Sequence, residues 1–351
     1  MQPRTRILAA LAREQPDRVP KVLGFRVKEF SGRDDEALAR ELGLAARFVE
    51  FEPSDDDQRL ADYLRGLPPD VDVGDLRLLR SYVEWGYEPN VVETNPLGTA
   101  QVADDIRRFA FPDVGADPRH RGLRDRVSQC HAEGYAVVGA PPRLGGELFE
   151  TGYRLRGFER FMEDLAGRPT LADYLLDQLE AIMRRNVAIL GEAGIDVLAI
   201  DDDVAIATGM LISPMMWRRY FKPRLRRIIR AARLARPELR VLYHSDGNFT
   251  DIVGDLIEIG VDAVNPLQPD HMDPSELKAR FGGQLAFWGA IGSQTLMAQG
   301  SPEDVREEVR ARIASLGPAG YVACPAYDVN FDVPWENVLA FSRAVDDFGQ
   351  R

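Results

Sequence analysis

Residues 195–203 read Ile195-Asp196-Val197-Leu198-Ala199-Ile200-Asp201-Asp202-Asp203. The near-continuous apolar run Ile195–Ile200 is the length of a buried strand, and it ends abruptly in three carboxylates. Thr170 to Leu190 precedes it as a long amphipathic helix, with Leu171, Leu175, Leu179, Ile182 and Val187 on one side. Gly191–Gly194 separate the two. A helix feeding a strand buried on both faces is the unit of a parallel sheet with right-handed crossovers.

The unit recurs downstream. Ser213-Pro214 opens a helix, proline being tolerated in the first turn. Strand Leu239–Tyr243 follows, then a helix to Gly260, strand Ala263-Val264 and strand Leu285–Trp288. Ser301-Pro-Glu-Asp304 is an acidic capping box for a helix carrying Val305, Val309 and Ile313, stopped by Gly317-Pro318. Strand Tyr321–Ala323 and helix Trp335–Phe348 close the chain. Upstream, Val19–Val27 reads as the first strand, Leu76–Val92 as an inserted hairpin and Ala136–Ala140 as another strand. With no glycine-rich dinucleotide fingerprint and too many units for a small sheet, the expected fold is α/β, a single (β/α)8 TIM barrel spanning 1–351.

The chain has 351 residues, 45% of them hydrophobic and 28% charged, as in ordinary globular proteins. Its net charge of −12 argues against nucleic-acid binding. The basic run Arg218–Arg233 reads as a solvated helix face with Tyr220, Leu225, Ile228 and Ile229 turned inward. No apolar run is long enough for a membrane span, and the polar start Met1–Arg6 lacks a signal-peptide core. Cys130 and Cys324 cannot form a disulfide framework. These readings place the protein in the cytoplasm.

In a (β/α)8 barrel the residues just after each strand converge on one mouth. They include Arg143 after Ala140, Asp201-Asp-Asp203 after Ile200, and His244-Ser-Asp246 after Tyr243. Asn265 and Gln268 follow the next strand, and Trp288, Cys324 and Tyr327 stand at the last two. An acidic mouth bearing an imidazole suits proton transfer or cation binding. His244 and Asp246, two positions apart at a strand's carboxyl end, are placed for metal ligation or acid–base work. Asp246, Asn248 and Thr250 are also good helix caps, and Arg143 could pair with a substrate carboxylate or with Asp201–Asp203. His120, His131 and His271 read as surface residues.

These stretches, in order, resemble the uroporphyrinogen decarboxylase superfamily. They are Arg4–Leu11 with Pro16-Asp-Arg-Val-Pro20, Asp201–Asp203 with Ile212-Ser-Pro214 and Lys222-Pro223, His244-Ser-Asp-Gly-Asn248 with Asn265-Pro266, and Asp332-Val-Pro-Trp-Glu-Asn337. The superfamily comprises (β/α)8 enzymes and includes methyltransferases that serve corrinoid proteins. The resemblance is closer to that branch: the true decarboxylases' Arg-Gln-Ala-Gly-Arg and Phe-Ser-Asp motifs are missing here. In the methyltransferase branch, zinc is held by His-x-Cys and a later Cys. His244 matches the histidine, Asp246 stands at the first cysteine, and the later one falls near Tyr327, three residues beyond Cys324. Oxygen donors make a harder, more electrophilic site than thiolates.

The resemblance therefore implies methyl transfer on a small, non-thiol substrate, with zinc or another divalent metal at His244 and Asp246. Cobalamin would ride on a partner protein, since the corrinoid-binding Asp-x-His-x-x-Gly motif is missing. Asp202 would manage protons, while Tyr327 and Asn265 would position the substrate. One alternative is a metal-independent decarboxylase in which Arg26 or Arg143 grips a carboxylate and an acid of Asp201–Asp203 protonates the carbanion. Another is a non-catalytic binding component. A monomer or homodimer is expected.

Overall fold

The computed structural model describes residues 1–23, 35–52, 95–326, 329 and 333–350. The expected hairpin Leu76–Val92, Arg26 and Tyr327 lie outside the described residues. Seven parallel strands form one curled sheet in the order β1 (Ala46–Val49), β2 (Ala136–Gly139), β3 (Val197–Asp201), β6 (Arg240–His244), β7 (Ala263–Asn265), β8 (Ala286–Ile291) and β9 (Tyr321–Pro325). The two remaining strands, β4 (Ala205–Ile206) and β5 (Gly209–Met210), form a small antiparallel hairpin after β3. Neither β1 nor this hairpin is expected from the sequence pattern: both are too short to establish a period.

Segment Pro20–Val22 lies between the sheet's two edges. It exchanges bonds with Ala323 of β9 (Ala323 N–H to Pro20 O, 2.9 Å; Val22 N–H to Ala323 O, 3.1 Å) and accepts one from Ala45 N–H beside β1 (2.9 Å). Of the expected strand Val19–Val27, the described part ends at Leu23.

Alternation along the strands divides the apolar residues into two clusters. One face contributes Ala136, Val138, Val197, Ala199, Leu242, Ala263, Ala286, Trp288, Val322 and Cys324, which pack together inside the curl. The other contributes Val137, Leu198, Ile200, Val241, Tyr243, Val264 and Phe287, which pack against the helices. Continuing the inward series one step past its apolar members puts Asp201, His244 and Asn265 in adjacent register: Asp201 opposite His244, and His244 opposite Asn265. The carboxyl end of the sheet is therefore where the inside changes from apolar to polar.

The helix observed at Pro169–Ala193 extends the expected one by a residue or more at each end and stops at Gly194, which takes the left-handed conformation (φ 97°). It buries Leu171, Leu175, Leu179, Met183, Val187 and Leu190, each contributing about 1.5–3 kcal/mol. Its partner, Lys222–Ala235, buries Leu225, Ile228 and Ile229 as expected. The basic run there is not merely solvated, however. Arg224 is buried and bonds Asp173 and Asp177, and Arg227 bonds Glu180, all on the long helix. The Ser301 capping box forms: Asp304 accepts from Ser301 N–H at 2.9 Å, and Asp304 N–H donates to Ser301 Oγ at 3.3 Å. Among the described residues no helix is long and apolar enough to cross a membrane.

Candidate active site

His244 is the last residue of β6 and is nearly buried. Its Nδ1 is bonded to Asn265 Oδ1. Asn265 Nδ2 donates to Trp288 O at 2.9 Å, which turns the amide oxygen toward the ring. Nδ1 therefore carries a hydrogen, and Nε2 is the atom presented to the site. Around it stand Asp201 Oδ1 at 3.9 Å, Asp203 Oδ1 at 3.8 Å and Asp246 Oδ1 at 3.9 Å. These separations are too long for hydrogen bonds and are of the size that separates two atoms ligating one cation. Asp201, Asp203 and His244 can each offer one ligand atom within 4.8 Å of the others. One imidazole and several carboxylates fit zinc or a harder divalent ion.

The carboxylates are held by backbone and by one amide. Asp203 Oδ1 accepts from Asp246 N–H at 2.6 Å, tying the loops after β3 and β6 together. Gln268 donates Nε2–H to Asp246 Oδ1 (3.1 Å) while its Oε1 accepts from Gly247 N–H (2.8 Å). Gly247 is left-handed (φ 78°), and a Cβ there would come within 2.6 Å of Ile206 backbone, so the loop closes on the β4–β5 hairpin only with glycine. Arg143 is buried against Asp201: Nη2–H donates to Oδ2 at 2.8 Å, Nε–H to Gly145 O at 3.0 Å and Nη1–H to Pro141 O at 3.1 Å.

The electrostatics follow from this crowding. Burial alone would discharge His244, but Asp201, Asp203 and Asp246 outweigh it and raise its pKa above the usual imidazole value. Burial, with Asp201 nearby, raises Asp203, although His244 pulls the other way. On Arg143, burial is opposed by Asp201 and Glu147, and the net effect is a still more firmly held charge.

Several expected site residues have other places. Asp202 is fully buried, and its carboxylate accepts from Phe149 N–H (2.8 Å) and Glu150 N–H (3.1 Å). It anchors the start of helix Phe149–Arg156 and is not among the acids around His244 Nε2. The helix comes that close because residue 146 is glycine: a Cβ there would stand 2.5 Å from Asp202 Oδ1. Trp288 and Cys324, expected to line the substrate site, have no exposed surface and belong to the apolar cluster inside the curl. Both lie on inward faces of their strands, where the apolar cluster covers them. His131, read as a surface residue, has Nε2 2.9 Å from the buried Asp196.

Two acids escaped the sequence reading. Glu147 is fully buried and accepts from Asp201 N–H at 2.6 Å; burial raises its pKa well above the ordinary value, with Arg143 opposing and Asp201 and Asp202 adding to the rise. Glu150, in the first turn of helix Phe149–Arg156, is pushed up to about 7 by burial and by the charges of Asp203 and Asp201. The pair Gly145-Gly146 after β2 was the available signal, since consecutive glycines mark a close backbone approach.

Residues 121–348 match the family described as Uroporphyrinogen decarboxylase (URO-D). The chain belongs to the uroporphyrinogen decarboxylase family. It is 23% identical over 255 residues to the chloroplastic uroporphyrinogen decarboxylase of Nicotiana tabacum, covering 70% of this chain and 61% of that protein. It is 29% identical over 203 residues to a uroporphyrinogen decarboxylase of Thermus thermophilus, covering 57% of this chain and 55% of that protein. The match thus spans less than two thirds of either URO-D relative. A methyltransferase from Methanosarcina mazei superposes with a TM-score of 0.64 at 20% identity, covering 99% of both chains, which shows a shared fold.

Proposed function

We propose that this URO-D family protein is a single-domain (β/α)8 barrel enzyme, with Pro20–Val22 taking the eighth strand position. We infer that it moves a methyl group between a small non-thiol substrate and a corrinoid carried by a partner protein. The observation that carries the reading is the hard donor set around His244 Nε2, supported by likeness along the whole chain to a methyltransferase. Asp201, Asp203 and His244, with Asp246 beside them, would hold a divalent ion. Bound there, the ion would supply Lewis acidity toward a substrate oxygen or nitrogen. The corrinoid would supply a nucleophile for the methyl carbon.

The chain's own groups do the rest. Asn265 fixes the tautomer and orientation of His244, Gln268 fixes Asp246, and Asp202 seats helix Phe149–Arg156 over the site. Decarboxylation is the weaker reading: of the two arginines expected to grip a substrate carboxylate, Arg26 lies outside the described residues and Arg143 is engaged. All three guanidinium nitrogens of Arg143 already donate to Asp201 and to backbone carbonyls.

The test has two parts. Calorimetric titration with Zn²⁺ and Mn²⁺ should show one site in the wild type that Asp203→Asn weakens by at least tenfold; no binding of either ion would remove the metal from the reading. Incubation of metal-loaded protein with cob(I)alamin and a panel of methyl ethers and N-methyl amines should change the cobalt spectrum. An unchanged spectrum with every donor would remove methyl transfer.

A further inference from the structure

Helix Phe149–Arg156 begins on Asp202, and its first turn carries Glu150. Glu150 is 7% exposed. Its Oε1 accepts from Tyr153 O–H at 3.0 Å and lies 3.4 Å from Arg154 Nη2. Its Oε2 makes no hydrogen bond among the described residues, yet it is not one of the sealed, partnerless atoms of the interior. Behind the carboxyl group is the backbone of Gly145, where a Cβ would meet Oε1 at 2.6 Å and displace it. Glu150 is therefore pinned by one oxygen, by two side chains of its own helix and by a glycine that leaves room for it. The other oxygen is left available.

The titratable groups around Glu150 come from two places, the end of β3 and its own helix. Asp201 and Asp203 act on it from the end of β3, Arg154 and Tyr153 from its own helix, and Asp202 lies under its backbone. The family resemblance implies a proton-handling role for Asp202. Asp202 cannot reach a substrate, because it is fully buried and occupied by two amides. Arg143 occupies the other carboxylate oxygen of Asp201.

We propose that Glu150, through Oε2, is a further catalytic residue of this site, delivering a proton to the substrate heteroatom from which the methyl group departs. The proposal rests on the methyl-transfer reading above. As the carbon–heteroatom bond breaks, its electron pair stays on the oxygen or nitrogen, which takes the Glu150 proton. The acceptor's electron pair forms the new bond to carbon. Glu150 is left as carboxylate and is reprotonated from solvent. A general acid works best with a pKa near the working pH, and burial together with the surrounding acids brings Glu150 to about 7.

Protein labelled with ¹³C at the glutamate carboxyl carbons tests this without any substrate. One resonance should titrate near neutrality and vanish in Glu150→Gln. Mn²⁺ bound at the His244 cluster should broaden that same resonance, which a purely structural glutamate facing elsewhere would not show. With whichever methyl donor turns over, Glu150→Gln should lower kcat by roughly 10²–10⁴-fold and lose the fall in rate above neutral pH. Glu150→Asp should restore part of both. A Glu150 signal that titrates in the ordinary carboxylate range, or stays sharp with Mn²⁺ bound, overturns the proposal. So does a Glu150→Gln variant with wild-type kcat. If no donor turns over, the methyl-transfer reading fails, and with it the heteroatom as proton acceptor. The two NMR observations then still decide whether Glu150 faces the metal site as a near-neutral acid.

Discussion

The two ends of strand β3 treat their carboxylates in opposite ways. At the amino end Asp196 is almost completely buried and saturated. It takes Arg4 (2.9 Å), Arg236 (3.3 Å), His131 Nε2 (2.9 Å) and the amide of Val137 (3.0 Å). Asp262, before β7, is held likewise by Arg233 (2.8 Å), Arg240 (3.1 Å) and the amide of Val241 (2.8 Å). At the carboxyl end, among the described residues, Asp201, Asp203 and Asp246 stand around His244, Arg143 lies against Asp201 and Glu147, and Glu150 is beside Arg154, so that five acids face three bases. Residues at one end lock strands and helices together; at the other, charge is left in surplus for a ligand. A (β/α) fold separates stability and function in this way, because every strand points its carboxyl end toward the same mouth.

That contrast can be broken by measurement, the largest effect first. Asp196→Ala would leave three bases around a vacated acid, and removing one partner of a buried ionic network costs about 3–5 kcal/mol. Urea unfolding checks this, and a loss below about 1 kcal/mol would deny the amino end its structural role. At the carboxyl end the pH dependence should run against the habit of ordinary acids. Glu150 moves from 4.5 to about 7 on folding, so the folded state binds the proton more tightly. Its contribution to stability is present below about 4.5 and is lost as pH rises through about 7. At roughly 1.4 kcal/mol per pH unit, the loss is on the order of 3 kcal/mol. His244, also raised, adds a loss in the same direction. Unfolding followed between pH 5 and 8 should show this slope, reduced in Glu150→Gln and reduced again when Mn²⁺ is bound. A flat profile would mean that the surplus charge is already compensated.

Asn265→Ala should lower Mn²⁺ affinity about 10–100-fold, as expected for losing a group that orients a ligand, with thermal stability changed far less than by Asp196→Ala. Equal damage to both would erase the division between the two ends. The smallest effect belongs to Arg240→Ala. This arginine is 35% exposed and Arg233 remains on Asp262, so the loss should stay below about 1 kcal/mol. A larger one would show that the amino-end pairs act as a network.

The helical part of the fold was legible because apolar spacing and caps are local. Trp335–Phe348 and the Ser301 box form where the pattern placed them. β1 and the β4–β5 hairpin were not, since four residues and two carry no usable period. The candidate site was half legible. The adjacency of Asp201, His244 and Asn265 follows from counting inward positions on neighbouring strands. Trp288 and Cys324 fall on the same inward faces but are covered by the apolar cluster, a distinction that depends on what surrounds each side chain and that no one-dimensional pattern contains.

By itself the sequence determined the alternation of helix and strand and the polar strand ends. Those are properties of residue type and spacing. Tertiary structure alone decided what each acid does. Asp202 and Asp203 are neighbours in the chain, but past the end of β3 one turns to the amides of Phe149 and Glu150 and the other to His244. Glu150, about fifty residues away, arrives at the site only because Gly146 lets its helix settle on Asp202. A carboxyl group's pKa is set by burial and by charges a few ångströms off, and those neighbours exist only once the chain has closed.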